Sequence, residues 1–163
     1  MSSYSSYEER RSRMNIRKFK EADRHQVLDL AKRFNHVEYM EFRDNRIMSE
    51  KQMDLAYQAV TNNTDNIYVA DDSGHILGYI ELTIQKDYFT ERKQAYISAI
   101  AVSVQGEGKG IGKALMKQAE LWASNLGLSE LILDVFVANE RAVKMYEHLG
   151  YHKEIVKMVK QNP

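Results

Sequence analysis

The chain has 163 residues, 44% of them apolar and 28% charged, and its formal charges cancel. This balance describes one globular domain with a proper core, and argues against a disordered segment or a basic nucleic-acid binder. There is no cysteine, which excludes disulfides, thiolate metal sites and a cysteine nucleophile.

No apolar run reaches membrane-spanning length, and residues 1–20 lack an apolar signal core. The expectation is a cytoplasmic protein with no membrane partner. Residues 1–13, mostly Ser, Tyr, Glu and Arg, predict a flexible tail, and 14–163 a single domain. Met14 to Phe19 reads as a first strand. Asp23 is placed to cap a helix reaching Phe34, with Val27, Leu28, Ala31 and Phe34 on one face. Residues 35–48 are irregular. Ser49 and Gln52 have capping-box spacing, and Met53, Ala56, Tyr57 and Val60 follow at helical spacing. Asn62 and Asn63 end that helix.

Residues 67–70 and 75–84 read as strands joined by Asp71-Asp72-Ser73-Gly74, a hairpin. Residues 85–94 form a polar loop carrying Tyr88 and Phe89. The apolar run 96–104 predicts a buried central strand. A helix over 114–126 follows, with Ile111, Leu115, Ala119, Trp122 and Leu126 inward and Gly127 just past its end. Residues 131–137 give a second buried strand, Asn139 caps a helix ending at Gly150, and 151–159 read as a last strand. The order β-α-α-β-β-β-α-β-α-β contains one parallel strand–helix–strand unit, 96–137, within an otherwise antiparallel sheet.

Four of the eight glycines fall in Gln105-Gly-Glu-Gly-Lys-Gly-Ile-Gly-Lys113, between that central strand and its helix. Glycine admits positive φ and close backbone approach, and a helix start presents free N–H donors and a positive dipole end. Lys109, Lys113 and Lys117 add charge. Strand, glycine turn and helix together point to a pyrophosphate cradle. The spacing fits neither the Walker loop nor the dinucleotide fingerprint.

The stretch resembles motif A of the GNAT N-acetyltransferase superfamily, Gln/Arg-x-x-Gly-x-Gly/Ala. Gln105-x-x-Gly108-x-Gly110 matches literally. The favoured frame is Glu107-x-x-Gly110-x-Gly112, which sets the last glycine at the helix start and carries Glu at its first position. Asn139-x-x-Ala142-x-x-x-Tyr146-x-x-x-Gly150-Tyr151 is similar to the family's motif B. Asn139 and Tyr146 lie two turns apart and so share a helix face.

The resemblance implies an α/β (α+β) GNAT-type fold: a mixed, mostly antiparallel sheet of six to seven strands, helices on both faces and a splayed central parallel pair. It implies acetyl-CoA as cosubstrate and direct acetyl transfer to a primary amine on a small polyamine- or aminoglycoside-like molecule or a protein. The alternative is a non-catalytic acetyl-CoA-binding or sensing module. It assigns the pyrophosphate to Gly108, Lys109, Gly110, Ile111, Gly112 and Lys113, the pantetheine arm to the main chain of Ile100 and Val102, and cofactor contacts to Asn139 and Tyr146. Tyr146 is the expected acid for the leaving thiolate.

Some relatives carry a basic Glu where this chain has Tyr96. Glu81, Asp134 or relayed water remain as routes for deprotonating the amine, and a structural hydrogen bond is the plainer reading of either carboxylate. The five histidines show no metal-ligand spacing, so no metal is expected. The family also admits a homodimer. The acceptor is expected against 35–48 and 85–94, where Glu38, Glu41, Asp44, Asp87 and Glu91 accompany Tyr39, Phe42, Tyr88 and Phe89 and would suit a cation.

Overall fold

A computed structural model describes residues 14–36 and 39–163. The expected tail, 1–13, and Glu38 lie outside the described residues. Five strands pair in chain order: β1 (Met14–Lys18), β2 (Ile67–Asp72), β3 (His75–Lys86), β4 (Lys93–Val102) and β5 (Leu131–Leu133). The first three pairings are antiparallel and β4–β5 is parallel. Ser73 and Gly74, both at positive φ, make the β2–β3 turn that the Asp-Asp-Ser-Gly run predicts.

Strand alternation sends successive side chains to opposite faces, so each face has its own apolar cluster. On one face, α1 (Arg24–Ala31) and α2 (Asn45–Asn62) bring Val27, Leu30, Ala56 and Val60 against Ile67, Val69 and Tyr79. On the other, α3 (Ile111–Asn125) brings Ile111, Leu115, Met116, Ala119 and Trp122 against Ala70, Ile80, Leu82 and Ile97. Gly78 permits that second contact. A Cβ there would meet Ala101 O and Ile111 Cγ2 at 3.0 Å and Leu115 Cδ1 at 3.2 Å. A fourth helix, α4 (Glu140–His148), follows β5.

Several expectations are corrected. Among the described residues the sheet has five strands, not six to seven, and β5 covers three residues rather than 131–137. Residues 151–159 pair with no strand among the described residues, leaving Ile155 and Met158 exposed, because extended backbone becomes a strand only beside a hydrogen-bonding neighbour. α2 begins at Asn45, where Asp44 accepts from the N–H of Arg46 and Ile47 at 2.9 and 3.1 Å, so Ser49 and Gln52 lie inside the helix. Asp23 does not cap α1. Its buried carboxylate accepts from Lys20 N and from both Arg17 Nη atoms, and Arg17 Nε reaches Asp71 at 2.8 Å. β3 ends later than expected, at Lys86, and β4 runs from Lys93 to Val102 rather than over 96–104, which shortens the loop to 87–92, and Leu126 is half exposed rather than inward.

Candidate active site

The central strands come apart at one residue. Across β3–β4, Glu81 faces Ala99 and Leu82 faces Ile97, so Ser98 is an inserted bulge residue. The parallel β4–β5 pairing covers only Ala95 to Ile97 on β4, so from Ser98 onward β4 has no neighbour on that edge among the described residues. Ser103 N donates to Leu77 O on the β3 side at 2.8 Å. Alternation along the strand then turns the main-chain groups of Val102 and Ile100 toward the vacated edge. This cleft lies at the carboxyl end of a parallel strand pair, where open α/β sheets present ligand sites.

The glycine loop stands at the head of the cleft. Gly108 and Gly110 hold φ of 73° and 74°, the left-handed region that glycine enters without a Cβ penalty. Gly110 is the residue preceding α3. The first helical bond is Ala114 N to Gly110 O, at 3.0 Å, so Ile111, Gly112 and Lys113 present N–H groups at the helix end. Gly112 is helical, and a Cβ there would meet only Val102 Cγ2, at 3.8 Å. Nothing in the fold itself requires glycine at that position. Between α3 and α4 runs a groove with Lys113 and Lys117 on one wall and Arg141, Lys144 and His148 along the other. Glu107, the first residue of the favoured frame, is ion-paired to Arg33.

Tyr146 projects from α4 and packs edge-on to Tyr151, ring centroids 5.9 Å apart. Burial alone raises its hydroxyl pKa, so the group is a protonated donor at neutral pH. Asn139 caps α4, its side chain accepting from Ala142 N at 3.4 Å. Its Oδ1 is therefore directed at the helix it starts.

Glu81 and Tyr96 share the sheet face that α1 and α2 cover. Glu81 is half-buried, and Asn63, just past α2, donates to it at 3.0 Å and also to Leu82 O. Burial raises the Glu81 pKa, and the Asn63 hydrogen bond partly offsets that. Tyr96 donates to Asp134 at 2.9 Å. Burial, then that bond, pushes the phenol up to about 12, so Tyr96 is a donor and no base. Beyond β5, Phe136 lies under the segment that follows α1: Tyr39 meets it edge-on at 4.8 Å and the Arg43 guanidinium stands 5.0 Å from its centroid.

The structure thus places Ile100 and Val102 on β4 past the Ser98 bulge, the glycine loop at the start of α3, Glu81 and Asp134 near Tyr96, and Tyr146 on α4. Of the acidic and aromatic residues expected to greet a cation, Tyr39 and Phe42 lie beside Phe136 and Arg43, while several others are engaged locally or exposed. Asp44 caps α2, Asp87 accepts from Thr90 in its own loop, and Tyr88 and Phe89 are 90% and 77% exposed. Sequence reasoning missed Asn63, Arg33, Arg43 and Phe136. Their contacts reach across 18 to 74 residues or more of chain, and no local pattern announces them. Among the described residues no cluster of three or more His, Asp or Glu could hold a metal, and no helix is long and apolar enough to cross a membrane.

A model of the acetyltransferase (GNAT) family matches residues 25–151. The sequence is 27% identical over 100 residues to N-acetyltransferase family 8 member 3 of Rattus norvegicus, covering 61% of this chain and 44% of that protein. It is 30% identical over 93 residues to the uncharacterized N-acetyltransferase YdgE of Bacillus subtilis, covering 57% and 58%. The chain therefore spans about half the length of the curated relatives it matches. A Pyrococcus furiosus structure described as an acetyl transferase superposes with a TM-score of 0.73 at 27% identity, over 91% of this chain and 99% of that one. The aminoglycoside 6'-N-acetyltransferase AAC(6')-IG of Acinetobacter haemolyticus, at 19% identity and a TM-score of 0.65 over 92% and 100%, shares the fold.

Proposed function

From the premise that this chain belongs to the GNAT acetyltransferase family, we propose that it transfers the acetyl group of acetyl-CoA directly to a primary amine. The observation that carries the reading is the free N–H cluster of Ile111, Gly112 and Lys113 at the head of a cleft left by two diverging parallel strands. These residues fit a pyrophosphate. The donors are main-chain groups at a positive dipole end, and the small Gly112 leaves the approach to them open.

Lys113, Arg141 and Lys144 supply positive charge along the groove for the carrier's phosphates, while Lys117 is paired with Glu120 on the same wall. The main chain of Ile100 and Val102 would pair with the pantetheine amides as a missing strand would. Acetyl-CoA contributes an activated thioester. Tyr146 holds the proton for the departing thiolate. A thiol titrates near about 8.5 and a tyrosine near about 10, and burial keeps this one protonated, so the donor is present throughout the neutral range.

An alkylamine with a pKa near about 10.4 arrives protonated and must lose a proton before it can attack. Glu81 is the better placed acceptor. Desolvation raises its proton affinity toward that of a useful base, and Asn63 fixes its orientation. Asp134 is engaged by Tyr96 and serves to attract and align the ammonium. Polyamine- or aminoglycoside-like molecules and protein amines all present such a group. Cytoplasmic residence and a homodimer remain part of this reading.

The test is calorimetric titration with acetyl-CoA, followed by coenzyme A release over a panel of amines. Binding with turnover supports transfer. Binding without turnover on any amine would make the chain a sensing module, the second reading. Absence of binding would overturn both.

A further inference from the structure

We propose that Arg43 holds a carboxylate carried by the acceptor, so that the amine acetylated here belongs to an amino-acid-like molecule. The inference deepens the acetyl-transfer reading and rests on it.

Arg43 is half-buried, with its guanidinium 5.0 Å from the Phe136 ring centroid and 5.6 Å from that of Phe42. Its only side-chain hydrogen bond among the described residues runs from Nη1 to Met48 Sδ at 3.5 Å, and a thioether is a weak acceptor. Arg17, Arg24, Arg33, Arg46 and Arg92 each contact a carboxylate. Among the described residues Arg43 and Arg141 have none, and of the two only Arg43 stands against aromatic rings.

Two aromatic rings flank this half-buried guanidinium, and partial removal from water strengthens its attraction for any anion it meets. Its planar fork matches a carboxylate in bidentate fashion.

Position supplies the second argument. Phe136, the ring beneath Arg43, follows Asp134 by two residues, a main-chain span of at most about 7 Å. Asp134, the Tyr96 hydroxyl and Glu81 make one end of the cleft attractive to an ammonium. Arg43 makes the neighbouring end attractive to an anion. That charge order suits a molecule carrying an amine and a carboxylate a few bonds apart. It disfavours a linear polyamine, whose second charge would face Arg43.

The experiment compares matched acceptors, each an amino acid and its carboxamide, by coenzyme A release from saturating acetyl-CoA. The wild type is expected to favour the acids in kcat/KM. R43Q is expected to lower the acid-to-amide ratio by about 10- to 100-fold, the worth of a charge-assisted pair, and R43K to recover part of it. An unchanged ratio in R43Q, a wild-type preference for amides, or a preference for polyamines would each overturn the carboxylate assignment while leaving acetyl transfer intact. Calorimetric binding of acetyl-CoA with no turnover on any pair would overturn this assignment together with the transfer reading.

Discussion

Arg33 donates to Glu107 at 2.5 Å, tying the turn after α1 to the mouth of the glycine loop. A carboxylate beside a phosphate site would repel it, and this pairing offsets the charge. Both side chains are partly exposed, at 35% and 39%, so the pair is a modest one. Arg33→Ala is expected to raise the acetyl-CoA Kd by about two- to fivefold at low salt. The double variant Arg33→Ala/Glu107→Ala should restore it. Calorimetry on the three proteins checks this, and equal affinities across the set would uncouple the pair from the site.

Gly112 separates affinity from stability. A methyl group there meets no protein atom closer than 3.8 Å, so Gly112→Ala is expected to keep or raise stability, by up to about 1 kcal/mol. Gly112→Ala, which the motif's last position admits, should leave acetyl-CoA affinity near wild type, whereas Gly112→Val should weaken it. Urea melts and calorimetry read the two effects. Gly110, at φ 74°, cannot give so clean an answer, because any side chain there strains the backbone.

Tyr146→Phe removes the hydroxyl and keeps the ring packed against Tyr151. Loss of a general acid costs about 100-fold or more in kcat, whereas acetyl-CoA affinity should move little. Steady-state kinetics beside a binding isotherm test this, and an unaltered kcat would remove Tyr146 from proton transfer.

Glu81 gives a pH signature in both stability and rate. Its folded pKa is raised by burial, so its contribution to stability is present below the unfolded value, about 4.3, and is lost as pH rises through the folded one. Glu81→Gln should therefore gain stability relative to wild type between pH 4 and pH 8, because Gln still accepts from Asn63. If Glu81 is the base, the same variant loses the rise of kcat/KM with pH. A parallel rate profile in the two proteins would assign deprotonation to Asp134 or to water.

Arg17 reports on the opposite sign. Its hydrogen bonds hold Asp23 and Asp71 below the usual carboxylate range, so their contribution is present above about pH 4 and is lost as pH falls through the depressed values. Arg17→Ala leaves the buried Asp23 carboxylate unpaired and should destabilise by roughly 3 kcal/mol at pH 7. The deficit should shrink in acid, as urea melts at pH 3 and pH 7 would show.

Local signals made much of the architecture legible. The Asp-Asp-Ser-Gly turn, the Gly108 and Gly110 conformations, the Asn139 cap and Gly127 at positive φ each follow from one residue's chemistry. The inward face of α3 follows from its 3.6-residue period, with Ile111, Leu115, Ala119 and Trp122 all buried. Where the sequence misled, two local patterns competed. Ser49 offered a cap that Asp44 supplies one turn earlier, and 151–159 had strand composition without a partner.

The sequence by itself determined the family, the glycine loop before α3 and the helix that bears Tyr146, because glycine spacing and cap residues act over a few neighbouring positions. Only the tertiary structure decided that β4 and β5 part after Ile97, next to the Ser98 bulge of the β3–β4 pairing. Only it joined Asn63 to Glu81, Arg33 to Glu107 and Arg43 to Phe136. Charges and rings become partners when folding removes the distance between them, and no pattern along the chain encodes that distance.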